Sequence, residues 1–384
     1  MGTSRQRFRS FRTYAPGNRE TGYYSGGSWV HLLNSAGSSL ENIDESCDDT
    51  VGPYPFVEPH NLSLIKRDCD PLLVSGEART GSFQWQRYAS YAPQNWSGAQ
   101  YVTAPPSSDV NWWKAKALAA LNPFRPEVDL PLFLFEFREF PRMLRDLGRV
   151  LSGGIKPKDA PGGYLAYNFG WAPLLGDLQK LINLGESLQR TRKRLQDAAN
   201  GRRIRRSLGT IHSPGLPWVY TFVTGQYGSY QLLVTRDDSI KGWCTAKVYL
   251  NDPLPDGPGL DWEVLRTTLN LRISSSTIWE SIPWSFLIDY FVNIGDLIEA
   301  RQGYNRWRFS NMFLMLTGSR VERVASTITQ LGGLSYTGGR RVYTVKTRSY
   351  MGSDPSVSFA LTPMLSGYQL GIIGALATAS ALRR

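Results

Sequence analysis

The chain has 384 residues, 41% of them hydrophobic, and a formal net charge of +11 from 43 basic and 32 acidic side chains. That length exceeds one simple core and implies two structural regions or one elongated body. The basic excess favours a polyanionic partner, nucleic acid or an anionic surface, without choosing between them. Three scattered cysteines, Cys47, Cys69 and Cys244, exclude a disulfide framework, and no Cys/His spacing suits a metal.

The N-terminus, MGTSRQRFRSFRTYAPG, is basic without an apolar stretch and is no secretory signal. Gln6 stands where a myristoylation pattern needs Ser or Thr. Up to residue 111 the chain is rich in Gly, Ser, Pro, Tyr and Trp. Turn signals such as VGPYPF and YAPQNWSG separate short β-prone runs, which predicts irregular β structure with long loops. The acidic run ENIDESCDD lacks the glycine and ligand spacing of a calcium loop and reads as a solvated loop.

From Asn111 helical periodicity takes over. Phe133, Phe137, Phe140, Leu144, Leu147 and Leu151 fall on one stripe, with Arg138, Arg142, Arg145 and Arg149 opposite and a kink expected at Pro141. Those arginines suit either phosphate contact or an exposed face neutralised by Glu136, Glu139 and Asp146. A second helix carries Leu174, Leu178, Leu181 and Leu188. Past Leu188 the stripe fades into QRTRKRLQDAANGRRIRR, with eight basic residues against Asp197. A helix that loses its apolar face is expected to project from its core.

Residues 207 to about 260 read as β structure: a hairpin in WVYTFVTGQYGSYQLLVTR and a further strand in GWCTAKVYLND. Ile278 to Ala300 reads as one helix, with Leu287, Tyr290, Phe291, Ile294 and Ile298 on one face and Asp289 and Asp296 opposite. Short alternating segments follow to Leu361. The tail LSGYQLGIIGALATASALRR is too diluted by Ser, Gln, Thr and Gly for a membrane span and reads as a buried or docking helix. Long alternating blocks argue against a doubly wound parallel sheet. They predict an α+β fold with two regions, each assembled from separated chain segments.

No Walker sequence, Gly-x-Ser-x-Gly elbow or His-Glu-x-x-His occurs, and the three histidines stand apart. Asp289 and Asp296 are spaced for a metal or for acid–base work, but carboxylates facing neighbouring arginines are the commoner arrangement. The reading is therefore not an enzyme, with no catalytic residue, metal or cofactor. Nucleic-acid binding is better supported. Arg190, Arg192, Lys193, Arg194, Arg202, Arg203, Arg205 and Arg206 can each engage phosphate oxygens and release counterions. The 12 Trp, 19 Tyr and 16 Phe offer faces for unpaired bases, or simply core anchors.

Two segments carry a resemblance. In YLAYNFGWAPLLGDLQKL the residues are Phe169, Gly170, Trp171, Pro173, Leu174 and Asp177. In IWESIPWSFLIDYFVNIGDLIE they are Trp279, Glu280, Pro283, Trp284, Ser285, Phe286, Asp289, Tyr290 and Gly295. Both resemble the hallmark segments of maturation proteins (A proteins) of single-stranded RNA bacteriophages, and NPFRPEVDLP is similar to that family too. The specific match covers about a quarter of the chain.

The resemblance implies a virion protein, one copy per particle in place of a coat-protein dimer. It implies that this copy grips structured genomic RNA toward the 3′ end, attaches to a bacterial pilus and accompanies the RNA into the host. It also implies an elongated α+β fold. Residues 112–206, 261–302 and 361–384 would form the helical region, and 1–111, 207–260 and 303–360 the β-rich region. Phe169, Gly170, Trp171, Pro173, Asp177, Trp279, Pro283, Phe286 and Asp289 would be architectural. RNA contacts would lie on the charged end after Leu188. The pilus-contacting residues stay unassigned. Some relatives also block host cell-wall synthesis, so the alternative reading is a lytic effector.

Overall fold

The structure, a computed structural model, describes residues 3–14, 17–35, 39–51, 60–79, 83–93, 96, 104–106, 109–137, 164–165, 167–168, 172–223, 229–271, 275–281, 285–301, 305–329 and 333–381. The strands are β1 (Thr3–Tyr14), β2 (Asn18–Ser25), β3 (Ser28–Ser35), β4 (Ser39–Val51), β5 (Leu62–Arg79), β6 (Trp85–Tyr91), β7 (Arg203–Val223), β8 (Ser229–Leu250), β9 (Trp307–Thr329) and β10 (Leu334–Gly352). The principal helices are α1 (Val110–Leu121), α2 (Leu130–Phe137), α3 (Ala172–Ile182), α4 (Leu184–Ala199), α5 (Pro258–Thr268), α6 (Ser275–Ser281), α7 (Ser285–Phe291), α8 (Ile294–Arg301) and α9 (Gly367–Ala381). The strands follow the order β3-β2-β6-β5-β10-β9-β8-β7, with β4 pairing β5 and β1.

Helical and β-rich parts are thus each built from discontinuous segments, the mixed class that the alternating blocks predict. Two compact units result: residues 1–107, 210–241 and 315–349, and residues 108–209, 242–314 and 350–384.

In the first unit the acidic run is not a loop. It is strand β4, antiparallel to β1, with Arg5 opposite Asp49 and Arg9 opposite Glu45. Arg5 and Arg7 reach Asp49 at 3.6 and 3.7 Å. A charge run looks like a loop only until a complementary strand, distant in sequence, lies beside it. Leu72, Val74, Tyr88, Trp96, Tyr220, Leu232 and Val234 form the core. Glu322 is buried beside it, 2.8 Å from Arg236 and 3.8 Å from Arg341. Arg341 donates from Nε to the Trp96 carbonyl at 2.9 Å and lies 4.0 Å above the Trp96 ring.

Long strands replace the short segments read from the sequence. In β8 every even position from Leu232 to Val248 except Arg236 is buried, and no odd one is, which is the period of a half-buried strand. The predicted hairpin arm and the following strand are therefore one element. In β9 the inward set changes from Trp307 and Phe309 to Met312, Leu314 and Leu316. The change falls at Asn311, whose φ of 49° marks an irregularity that shifts the side-chain phase by one.

In the second unit α1 starts at Asp109, whose carboxylate accepts from the Asn111 N–H at 2.8 Å. Trp113, Ala117, Leu118 and Leu121 are buried along it. Trp113 lies so close to Gly242 of β8 that a Cβ there would sit 2.4 Å from its ring, so only glycine admits the helix. Lys114, also buried, is held by Asp354 at 2.9 Å.

The single helix read over 278–300 is divided into α6, α7 and α8. Between α7 and α8 the chain breaks at Val292–Asn293. There the Asn293 carbonyl oxygen of the side chain accepts from the Ala360 N–H at 2.8 Å, and the Thr362 N–H donates to Phe291 O at 2.9 Å. A strand-like segment far along the chain thus captures backbone groups that a continuous helix would have used. Among the described residues no helix is long and apolar enough to cross a membrane.

Removing the Glu322 charge leaves two guanidinium groups without their buried counter-ion. Glu322→Gln is expected to cost about 3 kcal/mol, seen as a lower urea midpoint for the full chain.

Candidate nucleic-acid interface

The basic segment is half helix and half strand. Helix α4 ends at Asn200. The Gly201 N–H donates to Ala198 O at 3.1 Å and the Arg202 N–H to Asp197 O at 2.9 Å. Gly201 adopts φ 60°, the left-handed conformation that this paired termination requires. The chain then reverses direction into β7, so that Arg206 and Ser207 come back beside α4.

Contrary to the expectation of a projecting helix, α4 keeps an inward stripe to its end. Ser187, Thr191, Leu195 and Ala198 are buried, each about one turn after the last. Only Leu195 among them is strongly apolar, and small residues carry the rest of the contact. A hydrophobicity pattern therefore fades where the packing does not.

Between α4, the start of β7 and the turn after α1 lies a cavity of 620 Å³. Arg125, Lys180, Arg190, Lys193, Arg194 and Arg206 line it, against only Glu127 and Asp197. Arg194 is strongly enclosed, with 15% of its side chain exposed, 2.9 Å from Glu127 and donating to the Thr191 hydroxyl at 2.9 Å. Its Nε is buried without a hydrogen-bond partner. Burial first, then repulsion from Arg206, Arg125 and Arg190, holds its pKa below the ordinary arginine value, with Glu127 opposing. Like charges held this close favour an anion between them.

The other four basic residues of the segment are differently placed. Arg192 pairs with Asp261 of α5, and Arg202 with Asp197 at 3.1 Å. Arg203 and Arg205 alternate with buried Ile204 on β7 and stack on rings, Arg203 5.8 Å from Phe313 and Arg205 4.0 Å from Trp243. Arg138, Arg142, Arg145 and Arg149 lie outside the described residues.

Arg125 and Lys180 were not singled out by sequence. Arg125 stands between two prolines in NPFRPEVDLP, where no helical periodicity flags it. Lys180 is a lone cation in the last turn of α3.

The second hallmark segment forms a compact polar node. Trp279 Nε1 donates to Asp289 Oδ2 at 3.0 Å, and the Gly295 N–H donates to Asp289 Oδ1 at 2.8 Å. A side chain at 295 would place its Cβ 2.7 Å from that carboxylate. Asp289 thereby ties α6, α7 and the start of α8 together. Phe286 lies on α7, Pro173 and Asp177 on α3, while Phe169, Gly170, Trp171 and Pro283 lie outside the described residues. The Asp289–Asp296 spacing does not make a continuous helical face, because the helix breaks between them. Among the described residues no group of His, Cys, Asp and Glu is arranged to hold a metal.

Across the α1–α8 contact, Arg125 also bonds Glu299 at 2.8 Å. Desolvation raises the pKa of Glu299, against the attraction of Arg125. Desolvation likewise raises that of Asp296, against Lys116 and Arg125 and aided by Asp289.

The family described as phage maturation protein matches residues 137–349, more than half of the chain. That stretch holds both hallmark segments, the basic helix–turn–strand, β7, β8 and β9, and all of β10 but its last three residues. The chain belongs to this family, a class of virion-associated proteins that are not enzymes. No curated protein matches its sequence.

A raised carboxyl pKa means that the folded state binds its proton more tightly than the unfolded chain. Stability from Asp296 and Glu299 therefore falls as pH rises from the ordinary carboxylate range through their raised values. Asp296→Asn is expected to be more stable than the parent at pH 7. The advantage should vanish below about pH 4, where both states bind the proton. Thermal melts at a series of pH values measure this.

Proposed function

We propose that this maturation protein holds the phage genomic RNA by its phosphate backbone, through the cavity between α4, β7 and Arg125. The observation that carries the reading is the concentration of six cations around 620 Å³ with two acids to balance them. Guanidinium forks from Arg190, Arg194, Arg206 and Arg125 match phosphate oxygens, and Lys180 and Lys193 add mobile point charges. An entering phosphate relieves the repulsion around Arg194 and releases condensed counterions from the RNA. Arg192 and Arg202, already paired with carboxylates, contribute less. Arg203 and Arg205 present guanidinium–aromatic stacks on which bases can lie.

Family membership supports a wider role. One copy takes the place of a coat-protein dimer in the capsid and grips structured RNA near the 3′ end. It attaches the particle to a bacterial pilus through the β-rich part and enters the cell with the RNA. A virion reconstruction without imposed symmetry would place the chain.

The RNA reading is tested by the triple reversal Arg190→Glu, Lys193→Glu and Arg206→Glu. Affinity for phage RNA should fall at least tenfold, and the slope of log K against log salt should flatten by about 2 to 3, near 0.9 per lost contact. Arg192→Glu alone should change little. Filter binding at several salt concentrations measures both quantities, and an unchanged affinity and slope for the triple variant would sink the assignment.

A further inference from the structure

A second cavity, of 270 Å³, lies beside the node at Asp289. Trp112, Trp279, Asp289, Asp296, Glu299 and Arg125 line it. Arg125 lines the basic cavity as well, so one side chain belongs to both. The two cavities differ in chemistry. The basic one has no aromatic lining, whereas the second offers two indole rings and three carboxylates.

We propose that the second cavity receives a single unpaired guanine base from the RNA whose phosphates occupy the basic cavity. The inference rests on the RNA reading above and specifies what that site recognises. Four observations support it.

The volume is below that of pockets that take drug-sized ligands and suits one base. Trp112, 7% exposed, and Trp279 give it aromatic walls. Both oxygens of Asp289 are already engaged, by Trp279 and Gly295. Glu299 is held by Arg125 at 2.8 Å, so Asp296, desolvated at the same cavity, is the carboxylate left to accept from a ligand.

The lining therefore presents the Arg125 guanidinium as donor and Asp296 as a bidentate acceptor. Guanine is the base whose pairing edge answers both, with O6 as acceptor and N1–H and N2–H as adjacent donors. Adenine and cytosine set a ring-nitrogen acceptor beside their amino donor, which a carboxylate repels. Uracil has one imide donor between two acceptors.

A cation is the competing occupant of an acidic, aromatic cavity. It is disfavoured because cations already serve these groups. Lys116 Nζ stands 4.9 Å from the Trp112 ring, and Arg125 bonds Glu299. A further positive group would meet both, whereas a neutral base meets neither penalty.

The test uses the full chain and RNA pentamers UUXUU, with X as guanine, inosine, adenine, cytosine or uracil, read by fluorescence anisotropy. Each pentamer carries the same number of phosphates, so differences report the base. The guanine pentamer should bind about tenfold more tightly than the adenine, cytosine and uracil forms. Inosine, which lacks the N2 amino group, should fall between. Asp296→Asn should abolish the guanine advantage while binding UUUUU as the parent does. Circular dichroism confirms the fold of the variant. Equal affinities for all five pentamers overturn the proposal, as does a guanine preference that survives Asp296→Asn. Saturable binding of arginine amide that Asp296→Asn abolishes, without base preference, would instead assign the cavity to a cationic protein side chain. Failure of the RNA reading looks different: the parent would bind neither phage RNA nor any pentamer, whereas failure of this inference alone leaves phage RNA binding intact.

Discussion

A strand turns alternate side chains to opposite faces, and β8 holds that alternation from Leu232 to Val248 without a slip. Much else depends on this one constraint. Leu232 and Val234 enter the core shared with Trp96 and Tyr220. Gly242, in the same phase, leaves the space that Trp113 fills, and Cys244 follows under α1, its Sγ 3.9 Å from Ala117 O. A one-residue slip would turn each of these positions to the other face. The neighbouring β9 corrects its own phase at Asn311, so that Met312, Leu314 and Leu316 continue inward.

The net charge of +11 is unevenly matched by acids. Around the buried Glu322 and the bidentate Asp238–Arg320 pair, arginines have carboxylates at bonding distance. Such pairs orient side chains more than they stabilise the fold, because desolvation offsets most of their attraction. Around Arg194 the match fails, with cations from four parts of the chain meeting two acids. A fold that tolerates this repulsion must offset it by packing elsewhere, here through the fully buried Leu195 and Thr191 on the inner face of α4. Arg125 is the hinge of the arrangement, facing cations on one side and Glu299 on the other.

Much of this was legible in the sequence. Block alternation predicted a mixed fold of discontinuous parts, and the hallmark residues pointed to the family. The N-terminal run ENIDESCDD was misread because its charge is local and its pairing with β1 is not. Helix α4 looked unsupported after Leu188 because Ser187, Thr191 and Ala198 pack by size and shape, which a hydropathy pattern does not register. The break at Asn293 was invisible because its cause, the backbone at Ala360, lies far along the chain.

By itself the sequence determined which segments favour helix or strand, the basic excess after Leu188 and the family to which the chain belongs. These are properties of neighbouring residues and of motifs read in order. Only the tertiary structure decided how the eight basic residues from Arg190 to Arg206 divide. Four line a cavity, two pair with acids and two stack on rings, and Arg125 and Lys180 join them from elsewhere in the chain. The reason is physical: what a charge does depends on the groups within a few ångströms, and those groups are brought together by the turn at Gly201 and by the packing of α4.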